Sequence, residues 1–313
     1  MQIIRRCRGF ARVWPVFALA CVAVLGWVTY KELTNRGNVP FDGTIWNNHS
    51  SSLGPGVEHH TYHSEIMNVE VGYNIHLPPQ YAANPAQRFS VIYWLHGRGR
   101  DENSDVADVM SGMNIGSVPP AIIVFVNGGR NSKYMDAVGG SPMHGVLMVE
   151  STIIYELIPH IDTNYRTSPT KGGRAIQGFS MGGMGSLRLA FKYPQLFSSV
   201  FGFALAINDN ASNVSIHEFA LMRAMFNLNP LLFSAQTVQT IAATNAPHIR
   251  GLPIHFVVGS ADGLLPDNQA LDTLLTSLNI PHDPLKIVSG AKHDFAALQA
   301  VANNFQFAAK HFY

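Results

Sequence analysis

The feature that most limits how this chain folds is a recurring unit. A short, unbroken apolar run halts at glycine or a small polar residue and gives way to a helix-compatible stretch. Ser90–Leu95 halts at His96-Gly97, Ala121–Val126 at Asn127-Gly128-Gly129, Arg174–Phe179 at Ser180, and residues 254–258 at Gly259. Ser199–Phe203 follows a stretch closed by Pro194, and residues 285–288 end at Ser289-Gly290. Such runs do not alternate with polar residues, so a strand made from one must be covered on both faces. Helical patterning fills the intervals at 149–161 and 268–278. The fold class expected is therefore α/β, a mainly parallel central sheet with helices on both faces. Residues 61–64 and 67–77, stopped by Pro78-Pro79, add an antiparallel pair at the N-terminal side. Functional groups in such sheets gather at the carboxyl ends of the strands, where the motifs below lie.

Gly178-Phe179-Ser180-Met181-Gly182 reads G-x-S-x-G directly after a strand and directly before a helix. A serine in so sharp a turn needs small neighbours two positions away on either side, and Gly178 and Gly182 supply them. Its hydroxyl then stands at a helix N-terminus, where the dipole and free N–H groups favour negative charge. Ser180 is thus the candidate nucleophile, and the Met181 N–H a candidate oxyanion donor. The pentapeptide alone is a weak signal. Its strand-to-helix setting, with Gly183 and Gly185 to allow close helix packing, gives it weight. His96-Gly97-Arg98-Gly99 closes an earlier strand, and Gly97 permits close approach, so the Arg98 N–H is the second candidate donor.

A serine nucleophile of this kind needs an acid and then a histidine, in that chain order. Asp262, in the loop after the strand at 254–258, is the candidate acid; Asp267 lies beyond Pro266 and Asp272 within a helix. His293, in the loop after the last strand, is the candidate base. His282 precedes that strand and His311 belongs to the terminal helix, so neither is expected at the same end of the sheet. His59, His60 and His63 are clustered but lack a convincing carboxylate or cysteine set, so they read as surface residues and no metal is expected. No dinucleotide glycine fingerprint or Walker-type loop is present. Phe219, Met222, Met225 and Phe226 fall at helical spacing within a long segment at 208–253, either lining an acyl pocket or lid or packing on the body.

Charge divides the chain. Residues 1–36 hold six basic residues against Glu32, whereas residues 37–313 hold 15 basic against 19 acidic. A mildly acidic body argues against a nucleic-acid partner. Residues 13–30 carry no charge and follow four arginines, the pattern of a signal anchor or a cleaved signal peptide within residues 1–34. Export follows, with the protein held on the membrane through that segment if it stays uncleaved, and secreted otherwise. Residues 35–58 read as a linker and 59–313 as the catalytic domain. Both cysteines, Cys7 and Cys21, lie in the leader, so the body has neither disulfide nor thiol nucleophile.

Several segments together resemble a known family. They are Leu77-Pro-Pro-Gln-Tyr81, Val91-Ile-Tyr-Trp-Leu-His-Gly97, Asn127-Gly-Gly-Arg-Asn-Ser132, Glu156-Leu-Ile-Pro-His-Ile-Asp162 and Gly173-Arg-Ala-Ile-Gln-Gly-Phe-Ser-Met-Gly-Gly183. From Thr61 onward the chain is similar to the putative esterase (esterase D-like) family, which includes feruloyl and acetyl esterases, S-formylglutathione hydrolases and antigen 85-type mycolyltransferases. The resemblance implies the α/β-hydrolase fold, a Ser180-Asp262-His293 triad, oxyanion donors at Met181 and Arg98, and no cofactor. It also implies a carboxylic-ester hydrolase acting through an acyl-enzyme on a small-molecule or carbohydrate-linked ester. An acyltransferase passing the acyl group to a sugar or lipid, and a catalytically inactive envelope binding protein, are the alternatives.

Overall fold

In a computed structural model the described residues are 43–50, 53–113, 119–138, 147–207 and 216–313, with the backbone alone at 216–220. Eight strands form one sheet in the order β1-β2-β4-β3-β5-β6-β7-β8. They are β1 (Val57–Ser64), β2 (Val69–His76), β3 (Ser90–Leu95), β4 (Ala121–Val126), β5 (Arg174–Phe179), β6 (Ser199–Phe203), β7 (Ile254–Gly259) and β8 (Lys286–Val288). Only β2 runs antiparallel to its neighbours; the other pairings are parallel. The α/β class and its antiparallel N-terminal pair are as expected.

The unbroken apolar runs are explained by two cores, one on each face. Along β3, Val91, Tyr93 and Leu95 enter one core while Ile92 and Trp94 enter the other. Along β4 the split is Ile122, Val124 and Val126 against Ala121, Ile123 and Phe125. The first core is closed by the helices Met181–Lys192 and Val238–Ile249, through Met184, Leu187, Val238 and Ile241. The second is closed by Val106–Met113, Phe295–Gln299 and Asn304–Lys310, through Val109, Phe295, Leu298 and Phe305. A fully buried side chain of this size contributes about 2–3 kcal/mol over exposure, so each face has reason to be covered.

The helix expected over 149–161 forms in three consecutive pieces: Val149–Thr152, a π-helical Ile153–Leu157, and Ile158–Asn164. Pro159 stands at the last junction and has no N–H to continue the ladder, so the wider turn precedes it. In the long segment, Met225 and Phe226 are buried and Met222 packs partly buried on the same core. This is packing on the body; the side chain of Phe219 lies outside the described residues.

The uncharged run at 13–30 also lies outside the described residues; among those described, no helix is long and apolar enough to cross a membrane. Within the stretch read as a linker, β1 already begins at Val57. Residues 44–48 are tied to the body as well. The Trp46 carbonyl accepts the Gly72 N–H at 2.6 Å, and the Arg130 N–H donates to Thr44 Oγ1 at 2.8 Å.

Asn48 reaches a buried carboxylate, Glu102. Its Oε1 accepts the Asn48 N–H at 2.8 Å and its Oε2 accepts from Asn127 Nδ2 at 2.7 Å. Gly72 makes the room, since a Cβ there would lie 2.4 Å from Oε1. Burial outweighs these donors and pushes the Glu102 carboxyl up to about 7 from 4.5. The native state therefore holds this proton more tightly than the unfolded chain does. The resulting stability is complete below pH 4.5 and is lost as pH rises towards 7. Glu102→Gln removes the titration, so the wild-type-minus-variant stability should fall by about 2–3 kcal/mol between acidic and neutral pH. Denaturant unfolding across that range measures it.

Candidate active site

The site lies where the chain reverses its direction of travel across the sheet. The connection after β3 leads to β4 on one side, while β5 pairs on the other side, so the carboxyl ends of β3 and β5 face a shared crevice. Ser180 stands there, between β5 and the helix Met181–Lys192. Its backbone has φ 59° and ψ −115°, a region non-glycine residues avoid at a cost of about 1–3 kcal/mol.

Neighbours hold it in that shape. The Ser180 N–H donates to the Phe203 carbonyl at 2.8 Å, and its own carbonyl accepts from Met184 N–H at 3.0 Å and Ala206 N–H at 3.1 Å. The flanking glycines are needed because the elbow is pressed onto the end of β3. A Cβ on Gly182 would lie 1.9 Å from the Leu95 carbonyl oxygen, and one on Gly178 would lie 2.6 Å from the same atom. Gly97 differs. A Cβ there would meet Ser180 Cβ at 3.4 Å, an ordinary contact, so Gly97 marks the closeness of this loop to Ser180.

His293 Nε2 lies 3.0 Å from Ser180 Oγ, and His293 Nδ1 lies 2.8 Å from Asp262 Oδ2. In the tautomer whose Nδ1–H donates to the Asp262 carboxylate, Nε2 is left to accept from the serine hydroxyl. The second carboxylate oxygen of Asp262 accepts the Leu264 N–H at 2.9 Å. The acid side chain is 1% exposed and the histidine 40%. Their two loops interlock through Ala261 N–H to the Ala291 carbonyl and Ser260 N–H to the Val288 carbonyl, both 2.9 Å. Gly259 permits this, since its Cβ would fall 2.1 Å from the Ala291 oxygen. The Phe179 ring supports the imidazole at 4.7 Å between centroids.

The rival residues are engaged elsewhere. Asp272 accepts the Leu285 N–H at 2.9 Å and pairs with His282 Nε2 at 3.2 Å. Asp267 lies in the first turn of the helix Leu265–Ser277, and His311 packs on Phe307. Each clustered N-terminal histidine has a partner: His59 contacts Asn74 and Asn47, His60 Glu58, and His63 Glu70. Among the described residues no group of three or more His, Cys, Asp or Glu is placed to hold a metal.

The loop holding Arg98 has a support that sequence reasoning missed. His96 is buried, its Nδ1 2.8 Å from the Gly97 carbonyl and its Nε2 accepting the Gly128 N–H at 3.1 Å. Burial brings this imidazole down to about 4, so it is neutral at physiological pH. Tyr134 donates its hydroxyl to the His96 carbonyl at 3.0 Å. Its ring fills the space that a Cβ on Gly128 or Gly185 would occupy, at 2.1 and 2.5 Å. Its carbonyl in turn accepts from Arg188 Nη1 at 3.0 Å, which ties this loop to the elbow helix. Tyr134 follows Ser132 and Lys133 in a segment without strand or helix patterning, so only its size distinguished it.

The strain at Ser180 makes a stability prediction. Glycine adopts φ 59° without a Cβ penalty, so Ser180→Gly should be about 1 kcal/mol more stable to denaturant than Ser180→Ala. Equal midpoints would mean the elbow holds no strain.

A family profile described as "Putative esterase" matches residues 64–310. Esterase Rv1288 of Mycobacterium tuberculosis is 32% identical over 145 residues, 46% of this chain and 31% of that protein. The chain thus spans about a third of the length of this relative. Among solved structures, a ferulic acid esterase superposes with a TM-score of 0.68 at 22% identity, covering 82% of this chain and 98% of that one. An S-formylglutathione hydrolase from Agrobacterium tumefaciens gives a TM-score of 0.68 at 15% identity, covering 86% and 99%. These structural likenesses bear on the fold, which is that of the α/β-hydrolases. The matched residues take in β2 to β8, the elbow and the Asp262 and His293 loops, and the chain belongs to the Putative esterase family.

Proposed function

We propose that this protein hydrolyses carboxylic esters through a serine acyl-enzyme, with Ser180 as nucleophile, His293 as general base and acid, and Asp262 orienting the imidazole. The observation that carries the reading is the unbroken hydrogen-bonded line from Asp262 through His293 to Ser180 Oγ at a strained elbow. Family membership supports the ester chemistry; the residue roles rest on the geometry.

In the first step Ser180 Oγ bonds to the ester carbonyl carbon while its proton passes to His293 Nε2. Negative charge collects on the former carbonyl oxygen. The Met181 N–H is one of the donors left unpaired at the start of a helix, and the Arg98 N–H lies one residue beyond the Gly97 contact with Ser180. Each such donor contributes about 3 kcal/mol to the transition state. The carbon–oxygen bond to the alcohol then breaks, and the alcohol takes the proton from His293. Water enters, gives a proton to His293 and bonds to the acyl carbon. The Ser180 bond breaks with return of that proton, and the acid leaves.

Buried Asp262 keeps the proton on Nδ1 and stabilises the imidazolium that forms twice in each cycle. Loss of its charge selects the wrong tautomer. Ser180→Ala should therefore reduce turnover of 4-nitrophenyl butyrate to background, and Asp262→Asn should lower kcat by about 10^3–10^4-fold with folding intact. A fluorophosphonate should label Ser180 in the folded wild type. Wild-type turnover by Ser180→Ala would overturn the reading.

A further inference from the structure

In the ester-hydrolase reading, the Arg98 N–H is the oxyanion donor supplied from outside the elbow. Its direction is set by the two peptide groups that flank Arg98. The first joins Gly97 to Arg98 and carries the donor itself. Its oxygen, the Gly97 carbonyl, lies 2.8 Å from His96 Nδ1 in the same turn. The second joins Arg98 to Gly99, and its N–H donates to the Arg130 carbonyl at 2.7 Å. Between these anchored groups the Arg98 N–H has no partner among the described residues. A donor held on both sides and left open is what a developing oxyanion requires.

The second anchor leads away from the site. The Arg130 N–H donates to Thr44 Oγ1 at 2.8 Å, so a residue 86 positions earlier holds the loop that holds Gly99. The same stretch fastens the Arg98 loop further along. The Asn48 N–H donates to Glu102 Oε1 at 2.8 Å, its Nδ2 donates to Asp101 Oδ2 at 2.6 Å, and its carbonyl accepts from Asn103 Nδ2 at 2.6 Å. Arg98 therefore lies between two points secured by residues 44–48. Burial alternates along this stretch: Thr44 and Trp46 are buried, Ile45 and Asn47 exposed. One side of an extended segment thus faces the body, although it forms no strand. Its footing is backbone-deep, with the Trp46 carbonyl accepting the Gly72 N–H at 2.6 Å and the Ile45 carbonyl accepting Asn127 Nδ2 at 2.9 Å. These residues precede the 64–310 that match the family profile.

A segment that served stability alone could bond anywhere along the sheet. The bonds of this one fall mainly on the loops at the carboxyl ends of β3 and β4, the two that meet at the Gly99–Arg130 bond. We propose that residues 44–48 are a clasp that holds the oxyanion loop in register with Ser180, with Thr44 and Asn48 as positioning residues for the Arg98 N–H. This rests on the ester-hydrolase reading above and adds a part to the same site. Neither side chain touches substrate; each acts through the loop, and a donor displaced by a fraction of an ångström loses much of its effect on the transition state.

Thr44→Val keeps the shape and removes the hydroxyl, and Asn48→Ala frees the turn at 101–103. Each should lower kcat for 4-nitrophenyl butyrate about 10-fold with KM within about 2-fold, in protein shown to be folded by its denaturant midpoint. Thr44→Ser, which keeps the hydroxyl, should recover most of the lost kcat. Two ketones of equal chain length separate positioning from general loosening. Ser180 Oγ adds to the carbonyl carbon of an alkyl trifluoromethyl ketone, its proton passes to His293, and the ketone oxygen becomes an oxyanion. Inhibition by this compound should weaken by the same factor as kcat/KM, whereas inhibition by the matching methyl ketone, bound without that step, should stay within about 2-fold. Wild-type kcat in both variants, equal weakening of the two ketones, or no recovery in Thr44→Ser would overturn the clasp and leave the esterase reading intact. Failure of the wild type to turn over the ester would instead count against that reading.

Discussion

The structure depends on one close approach, the contact of Gly182 with the carbonyl of Leu95. No side chain fits between them, so the elbow after β5 meets the end of β3 backbone to backbone. From that contact the rest of the site can be placed. Ser180 is forced into a left-handed conformation that Phe203 and Ala206 pin from the β6 side. The helix that follows runs down the sheet with Met184 and Leu187 in the core. A substitution that moved this contact by one methyl group would displace Ser180, helix and crevice together, because packed interiors transmit strain and do not absorb it.

Around this contact lies a second layer that is polar, buried and continuous. Arg188 on the elbow helix is fully buried, pairs with Glu150 at 2.5 Å, and bonds the Tyr134 and Gln236 carbonyls. Lys192 and Tyr193 reach the same carboxylate at 2.6 Å. Such a cluster adds little net stability over an apolar one, but removing one member strands a buried charge at a cost of about 3–5 kcal/mol. Its value here is geometric. It joins the helix behind Ser180, the Tyr134 loop and the His96 turn in one set of bonds.

The sheet was legible in the sequence because its strands are continuous apolar runs with sharp ends, and the parallel arrangement follows from covering both faces. Ser180, Asp262 and His293 were legible because position in the chain implies position at one end of such a sheet, and the structure brings these three together. What was not legible depends on contacts distant in sequence. Residues 44–48 fall within 35–58, a stretch that reads as a linker for its Asn, Gly, Ser and Pro content, yet Trp46 is buried and Asn48 meets Glu102, 54 positions later. Tyr134 offered no periodicity to read, and the need for its ring comes from glycines at 128 and 185 that only folding sets on either side of it. The spacing of Met225 and Phe226 was visible, but the choice between lining a pocket and packing a core is made by the helix's orientation.

The docking of residues 44–48 also settles a direction. Thr44 is held by the Arg130 N–H, and a Cβ on Gly129 would meet the Trp46 ring at 3.0 Å. The loop they touch follows β4 and so stands at the same end of the sheet as Ser180. Among the described residues the polypeptide therefore first meets the body at the Ser180 end of the sheet, not at the opposite end. Within the described residues the chain is thus first anchored beside the crevice, and Thr44 and Trp46 brace the loop after β4 that borders it.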